Sequence, residues 1–251
     1  MAFLEVHNLC KSFGGLMAND NISFSLERGE LVGLIGPNGA GKTTLFNCIS
    51  GLHAVTSGRI LFDGEDITHL KAHEVARRGL ARTFQVYVAA GDLTVIENVM
   101  VGCFMRTRSR SNARKRAAGI LKDLDIFDLS DYLVSELPVV AQKRVTMATA
   151  IGSEPKLLLL DEVAAGLNPN EIDGMMASIQ HVHEAMGITV MLIEHVMELV
   201  MRISHRVIVL DYGEKIADGA PETISKDPRV IKAYLGEKYV REHGDPNPNP
   251  Q

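Results

Sequence analysis

The chain has 251 residues, 46% of them hydrophobic and 23% charged, and a formal net charge of −5. This length suits one large domain, or a core with a smaller insert, with a sizeable buried interior. The negative charge offers no overall attraction for nucleic acid, so we expect no nucleic-acid partner. The strongest apolar runs, near Leu157–Leu160 and Ile188–Ile193, are strand-length, whereas a membrane-spanning helix needs roughly 20 apolar residues. We therefore expect no spanning helix, and we also expect no secretory signal.

The first part of the chain alternates short apolar runs with glycine and charged turns, a pattern typical of strands. The predicted strands are Phe3–Val6, Ile22–Leu26, Glu30–Ile35 and Ile60–Phe62, with a helix at Lys42–Ser50. From about residue 95 to residue 153 the pattern becomes helical. The helices predicted there are Val95–Phe104, Ala113–Leu124 and Gln142–Ile151.

The last part of the chain returns to alternating strands and helices. The predicted strands are Lys156–Leu160, Ile188–Ile193, Arg206–Leu210 and Lys215–Asp218, and the predicted helices are Glu171–Met186 and Met197–Ile203. We expect one domain at 1–243, with an α/β core at about 1–85 and 156–243 and a helical insert at about 86–155. Residues 244–251 hold three prolines and no core-forming residues, which predicts a disordered tail.

A glycine-rich loop directly follows the strand predicted at Glu30–Ile35. Gly36–Thr44 reads Gly-Pro-Asn-Gly-Ala-Gly-Lys-Thr-Thr, and strand, loop and helix in this order are typical of a P-loop rather than of a plain glycine turn. Backbone N–H groups curl around phosphate oxygens there, and the helix N-terminus favours negative charge. We expect Lys42 to neutralise the β- and γ-phosphates of ATP and Thr43 to bind Mg²⁺. The residues expected to bind nucleotide are Gly36, Asn38, Gly39, Gly41, Lys42, Thr43 and Thr44.

An acidic pair, Asp161-Glu162, follows the four leucines of the strand predicted at Lys156–Leu160. Parallel sheets place their ligands at the carboxyl ends of strands. We expect Asp161 to hold Mg²⁺ and Glu162 to polarise the attacking water. Two surface carboxylates after a core strand are the alternative, which the presence of the P-loop disfavours.

Three further segments, together with these motifs, resemble the ABC-transporter ATPases. They are Arg82-Thr83-Phe84-Gln85, Ala165-Gly166-Leu167-Asn168 and Ile193-Glu194-His195, which are similar to the Q-loop, the D-loop and the switch histidine. The resemblance implies an α/β P-loop NTPase core with an N-terminal antiparallel β subdomain and an inserted α-helical subdomain. It also implies that Gln85 joins Mg²⁺ and the water to the helical insert, that His195 contacts the γ-phosphate, and that Phe13 stacks on adenine.

Four segments narrow the resemblance to the branched-chain amino acid importer ATPases, a branch that also includes importers of urea, amides and aromatic acids. They are Ala81–Gln85, Leu93–Val99, Ala164–Pro169 and Ala233–Glu237. The implied function is an ATP-hydrolysing motor subunit, peripheral on the cytoplasmic face of the membrane. Its implied partners are transmembrane permease subunits, a second ATPase subunit and a solute-binding protein. The solute itself is not identified by the sequence.

Leu137–Ala141 departs from the family pattern, which has Leu-Ser-Gly-Gly-Gln at this place. Pro138 has neither a hydroxyl nor a backbone N–H, and Val139 and Val140 carry branched side chains in place of glycine. We favour a dimer with a different ATPase, in which this chain supplies one competent and one degenerate half-site. A homodimer with two impaired sites and a regulatory pseudo-ATPase are the alternatives. Glu162 and His195 are intact, which disfavours the pseudo-ATPase.

Two rival classes share the P-loop. ABC ATPases of translation or DNA repair carry two cassettes or long coiled-coil insertions, and this chain has neither. A P-loop kinase or GTPase gives His195 no role, and no Asn-Lys-x-Asp motif is present.

The basic run at Arg106–Arg116 fits contact with anionic lipid or an acidic partner, and fits a solvated helix face at least as well.

Overall fold

The computed structural model describes residues 2–83 and 90–234. The chain divides into two units, one formed by residues 1–70 and 200–251 and the other by residues 71–199. No helix in the described ranges is both long and apolar enough to cross a membrane. The tail predicted at 244–251 lies outside the described residues, and the division into a core and an insert at 86–155 stays a prediction.

The first unit contains a four-stranded antiparallel sheet. Its strands are β1 (Leu4–Phe13), β2 (Leu16–Leu26), β4 (Ser57–Phe62) and β5 (Glu65–Asp66), in the order β2-β1-β4-β5. This sheet confirms the antiparallel subdomain that the resemblance implies. Both long strands exceed the predicted Phe3–Val6 and Ile22–Leu26, because register shifts after Val6 and Leu9 interrupt the alternation that marks a strand in sequence.

A second group of strands in the first unit has the order β10-β9-β3. Strand β3 (Leu31–Ile35) is buried throughout and runs parallel to β9 (Arg206–Asp211), which turns back into β10 (Glu214–Gly219). Helix α1 (Lys42–Ile49) follows β3, and the short α8 (Pro221–Ile224) precedes a helical stretch at 228–234. Gly33 allows close packing on β3, because an added Cβ would collide with the Val200 side chain.

The second unit contains three parallel strands in the order β8-β7-β6. They are β6 (Leu80–Arg82), β7 (Leu157–Asp161) and β8 (Thr189–Ile193). All residues of β7 and β8 are buried, which explains why they read in the sequence as continuous apolar runs rather than as alternating ones. The short β6 was not predicted, because three residues are too few to show a period.

Helices make up the rest of the second unit. They are α2 (Ala72–Arg77), α3 (Val95–Cys103), α4 (Arg110–Asp123), α5 (Val139–Gly152) and α6 (Pro169–Glu184), and α7 (Met197–Ile203) contains the chain boundary between the units. Helices α3 and α5 pack closely at Gly102, where an added Cβ would collide with the Thr149 carbonyl oxygen. The three helices predicted between 95 and 153 are confirmed. Helix α5 begins earlier than predicted, directly after Pro138, a residue that the first helical turn tolerates.

Candidate active site

The phosphate loop of the first unit depends on glycine at three positions with positive φ: Gly36 at 152°, Gly39 at 81° and Gly41 at 94°. At Gly36 an added Cβ would collide with the Leu210 carbonyl oxygen, and at Gly41 with that of Ala18. At Gly39 nothing lies within 4 Å, so glycine is favoured there by its backbone angle alone. The loop predicted from the sequence therefore has the backbone shape that requires its glycines.

Lys42 lies inside this loop rather than in solvent. Its residue is 6% exposed, and its Nζ donates to the carbonyl oxygens of Gly36 at 2.7 Å and Pro37 at 3.0 Å. The loop carbonyls thus hold the ammonium group where phosphate oxygens are expected. Thr43 and Thr44 lie in the first turn of α1, half-buried, and Asn38 is exposed at the tip of the loop.

Residues that sequence reasoning missed brace the loop from behind. Asn19 on β2 is fully buried, and its Nδ2 donates to the Gly41 carbonyl at 3.1 Å. The turn between β9 and β10 contributes the N–H of Gly213, which donates to the Ala40 carbonyl at 3.2 Å. Neither residue belongs to a recognisable motif, and each meets the loop only through the fold.

Tyr234, in the helical stretch at 228–234, also reaches the loop. Its hydroxyl is hydrogen-bonded to the backbone of Gly36, and although 37% of the residue is exposed, the partial burial of the phenol raises its pKa to about 12. In the sequence, this tyrosine was noted only as part of the segment Ala233–Glu237, which supports the family resemblance, and no role was predicted for it. The later residues of that segment lie outside the described part of the chain.

Phe13 lies at the end of β1 with 45% of its surface exposed. Its ring meets the ring of His53 edge-on at 5.4 Å between centroids, and Lys11 Nζ lies 4.6 Å from the ring centroid. A half-exposed aromatic ring held by two neighbours can stack on a planar base. The predicted adenine contact remains a proposal.

Asp161, at the end of β7 in the second unit, is 1% exposed and is paired with Arg82. Arg82 Nη2 donates to Asp161 Oδ2 at 2.6 Å, and both side chains are almost fully buried. The backbone N–H of Asp161 donates to Thr83 Oγ1 at 3.1 Å. The ends of β6 and β7 are therefore tied together. The sequence singled out Asp161 but not its partner Arg82.

Glu162 and His195 are brought together in the second unit. The parallel register pairs Asp161 with Ile193, so the residues that follow β7 and β8 emerge side by side. His195 Nε2 lies 2.9 Å from Glu162 Oε1, and the two side chains are 40% and 12% exposed. A partly buried carboxylate hydrogen-bonded to a more exposed imidazole can orient a water molecule and accept its proton.

Hydrogen bonds to its backbone hold Glu162 in place, in addition to the contact between its carboxylate and His195. Its φ is 52°, a left-handed conformation that is uncommon outside glycine. Its N–H donates to the Ile193 carbonyl at 2.9 Å, and its carbonyl accepts from Lys143 Nζ at 3.1 Å. Glu194 lies close by, and burial raises the pKa of its carboxyl to about 7. Sequence reasoning missed Lys143 and Glu194.

The altered segment Leu137–Ala141 forms the start of α5. Pro138 is the N-cap residue without a side-chain cap, and Val139 is 56% exposed. Gln142 Nε2 donates back to the Leu137 carbonyl at 2.8 Å. This end of the helix therefore presents apolar side chains to its surroundings and no hydroxyl group that could contact phosphate.

ATP and Mg²⁺ fit the donor chemistry of the described residues. The first unit offers a glycine-rich loop whose packing leaves no room for a side chain at Gly36 or Gly41, and a half-buried hydroxyl at Thr43. The second unit offers the Asp161 carboxylate, and hydroxyl and carboxylate oxygens are ligands that Mg²⁺ prefers. Within 2–83 and 90–234, no three His, Cys, Asp or Glu side chains are grouped to hold a metal ion. Phosphate oxygens would supply the remaining ligands. Gln85, predicted as a further ligand, lies outside the described residues.

Known proteins are similar to this chain over most of its length. A family model described as ABC transporter matches residues 19–165, and one described as branched-chain amino acid ATP-binding cassette transporter matches residues 214–240. The high-affinity branched-chain amino acid transport ATP-binding protein BraF of Pseudomonas aeruginosa is 41% identical over 249 residues, covering 93% of this chain and 98% of the relative. The corresponding LivG protein of Escherichia coli K12 is 40% identical over 252 residues, with the same coverage of 93% and 98%.

Solved structures confirm the predicted fold. The ADP conformation of an ATP-binding cassette of an ABC transporter has a TM-score of 0.86 at 31% identity, covering 94% of this chain and 100% of that one. A dimeric post-hydrolysis cassette bound to ADP and Pi has a TM-score of 0.78 at 25% identity, covering 87% and 98%. By its motifs, its fold and these relatives, the chain belongs to the ABC transporter family of ATP-binding proteins.

Proposed function

We propose that this chain is the ATP-hydrolysing subunit of an importer for branched-chain amino acids or related small amino acids and amides. The names of the relatives and the family model at 214–240 support this solute class. The observation that carries the ATPase assignment is the phosphate loop, whose glycines have positive φ and whose lysine lies inside it. We further propose that the subunit sits peripherally at the cytoplasmic face of the membrane, with permease subunits and a solute-binding protein as partners.

The roles of the loop residues follow from their chemistry. Lys42 exchanges the carbonyls of Gly36 and Pro37 for phosphate oxygens when ATP enters, because a charged acceptor forms the stronger hydrogen bond. Thr43, Asp161 and Gln85 are the proposed protein ligands of Mg²⁺. When bound, Mg²⁺ supplies charge neutralisation on the phosphate oxygens.

Glu162 is the proposed catalytic carboxylate of the second unit. It orients the water that attacks the γ-phosphorus, while His195 holds the carboxylate through their hydrogen bond and contacts the γ-phosphate. Both groups are present and paired, which favours hydrolysis over nucleotide binding alone.

We propose that the chain pairs with a different ATPase subunit. The start of α5 offers Pro138 and Val139 where a phosphate-binding serine and glycine stand in the family pattern, so this chain makes a poor half-site for its partner's nucleotide. Its own phosphate loop keeps Lys42, and its second unit keeps Glu162 and His195. The competent site would then combine this loop with the partner's intact signature.

Steady-state ATPase measurements in the assembled complex test this proposal. We expect Lys42→Ala to remove most turnover, and we expect restoration of Ser-Gly-Gly-Gln at positions 138–141 to change it only modestly. The control Lys226→Ala, at an exposed position, should leave turnover unchanged. A strong gain on restoring the signature would instead support a homodimer with two impaired sites. Full turnover in Lys42→Ala would support a regulatory pseudo-ATPase.

The solute class is tested separately in reconstituted vesicles with the solute-binding protein. Leucine, isoleucine or valine should stimulate ATP hydrolysis, whereas urea should not. Stimulation only by urea, amides or aromatic acids would overturn the proposed solute and leave the ATPase assignment intact.

A further inference from the structure

Two charged residues outside the predicted catalytic set form hydrogen bonds to the backbone of the turn that contains Glu162. We propose that Lys143 and Glu194 are positioning residues, which hold the backbone of Glu162 and of the segment after it so that the Glu162 carboxylate points correctly. This inference rests on the proposed catalytic role of Glu162. It concerns only contacts inside the second unit.

The backbone of Glu162 needs external support because its φ of 52° is sparsely populated by residues with a side chain. Three hydrogen bonds fix the backbone of Glu162. Its N–H donates to the Ile193 carbonyl at 2.9 Å, and its carbonyl accepts from the Ala165 N–H at 3.3 Å. The third comes from a side chain, since Lys143 Nζ donates to the same carbonyl at 3.1 Å.

Glu194 holds the next part of the segment. Its residue is 1% exposed, and its Oε1 accepts from the backbone N–H of Ala164 at 2.7 Å. Glu194 directly precedes His195, which contacts the Glu162 carboxylate at 2.9 Å. One buried side chain therefore connects the end of β8 to the turn that carries Glu162.

Lys143 and Glu194 also interact with each other electrostatically, and Lys143 interacts in the same way with Glu162. Burying charged groups is costly, and an apolar pair of similar volume would fill this space without that cost. What an apolar pair lacks is direction: an ammonium group aims at a carbonyl oxygen, and a carboxylate aims at an N–H. The arrangement therefore fits positioning better than packing.

Lys143 lies on α5, one helical turn after Val139. The helix that begins with the altered segment is thus linked by one hydrogen bond to the backbone carbonyl of Glu162 in the same chain. A displacement of α5 would move the Glu162 carbonyl, because helices shift as rigid units.

The experiment compares Lys143→Met, Lys143→Arg and Glu194→Gln in the assembled complex, with Lys226→Met and Glu184→Gln as controls at exposed positions. We expect Lys143→Met to lower kcat by roughly 10-fold to 100-fold, with the KM for ATP and the Kd for a fluorescent ATP analogue unchanged. Lys143→Arg should recover part of the loss, because a guanidinium can donate to the same carbonyl. Glu194→Gln should give a smaller loss of kcat, since an amide oxygen still accepts from Ala164.

A double-mutant comparison separates positioning from general destabilisation. If Lys143 acts through the Glu162 carboxylate, adding Lys143→Met to Glu162→Gln should lower turnover no further. Additive losses would overturn the inference, as would an unchanged kcat in Lys143→Met or a loss of kcat that Lys143→Arg does not recover. If Lys143→Met fails to fold, Lys143→Arg and Glu194→Gln still decide, because full kcat in Glu194→Gln overturns the proposed role of Glu194.

Failure of the proposed catalytic role of Glu162 can be distinguished from failure of the positioning role of Lys143. Full turnover in Glu162→Gln removes the catalytic role of Glu162, whatever the Lys143 variants show. An inactive Glu162→Gln beside a fully active Lys143→Met overturns the positioning role alone.

Discussion

His195 Nε2 lies 2.9 Å from Glu162 Oε1, although the two residues are 33 positions apart in the chain. They meet because β7 and β8 are parallel neighbours, and each residue follows the carboxyl end of its strand. The imidazole is the more exposed of the pair, so it can contact a phosphate group while the carboxylate faces a water molecule.

This contact predicts the result of replacing Glu162 with Gln. The amide oxygen still accepts a hydrogen bond from His195, but the negative charge that attracts a proton is lost. We expect kcat for ATP hydrolysis to fall about 10²-fold to 10⁴-fold, with ATP affinity retained. Phosphate release and analogue binding measure the two quantities, and Glu184→Gln is the matched control. A kcat close to wild type would remove Glu162 from the reaction.

A second prediction concerns the buried pair of Arg82 and Asp161, whose side chains are 5% and 0% exposed. Arg82→Ala leaves the Asp161 carboxylate without this guanidinium, and breaking a buried ion pair typically costs about 3–5 kcal/mol. Urea unfolding of the variant should show a loss of this size. For comparison, Arg59→Ala removes the Arg59–Asp66 pair, whose side chains are 60% and 43% exposed, and should cost about 0–1 kcal/mol. Equal losses in the two variants would contradict the prediction.

A third prediction compares two glycines. Gly41→Ala forces a side chain into a backbone with φ of 94° and into the Ala18 carbonyl. We expect ATP affinity to fall by at least ~10-fold, which corresponds to about 1.4 kcal/mol. Gly119 in α4 has nothing within 4 Å of an added Cβ, so Gly119→Ala should leave ATP binding unchanged and raise stability by about 0.5–1 kcal/mol. Isothermal titration with ATP and thermal unfolding measure these effects, and unchanged ATP affinity in Gly41→Ala would contradict the steric argument.

A fourth prediction concerns pH and Glu194. Burial raises the pKa of this carboxyl from 4.5 to about 7, even though the Ala164 N–H and Lys143 act in the opposite direction. Between these two values the native state binds more protons than the unfolded state, so this group lowers the free energy of unfolding as pH rises. Glu194→Gln removes the effect, and its stability relative to wild type should therefore improve from about pH 5 to about pH 8.

Denaturant unfolding at several pH values measures this trend. Glu97→Gln is a control of opposite sign, because the Thr94 backbone N–H and hydroxyl lower the pKa of the Glu97 carboxyl. The stabilisation from Glu97 is present above the pKa of the unfolded state and is lost as pH falls, so Glu97→Gln should be most destabilising near neutral pH. A pH-independent difference between Glu194→Gln and wild type would contradict the raised pKa of Glu194.

Much of the fold was predictable because its signals are local. Helices α3 and α4 and strands β7 and β8 were predicted to within a few residues, since a helical period or a continuous apolar run is readable in a short window. The short β6 and the extended ends of β1 and β2 were not predictable. They form through pairing with partners distant in sequence, and bulges obscure their alternation.

The sequence by itself determined the chemistry of the candidate site. The spacing of Gly36–Thr44 and the acidic pair after β7 predicted the reacting groups, because each motif is complete within a few consecutive residues. The resemblance to the ABC-transporter ATPases added the histidine after β8. The tertiary structure alone decided what supports them. Arg82 reaches Asp161 across 79 positions, and Lys143 reaches the Glu162 carbonyl across 19. Such contacts leave no periodic trace in the sequence, because they depend on which strands and helices become neighbours when the chain folds.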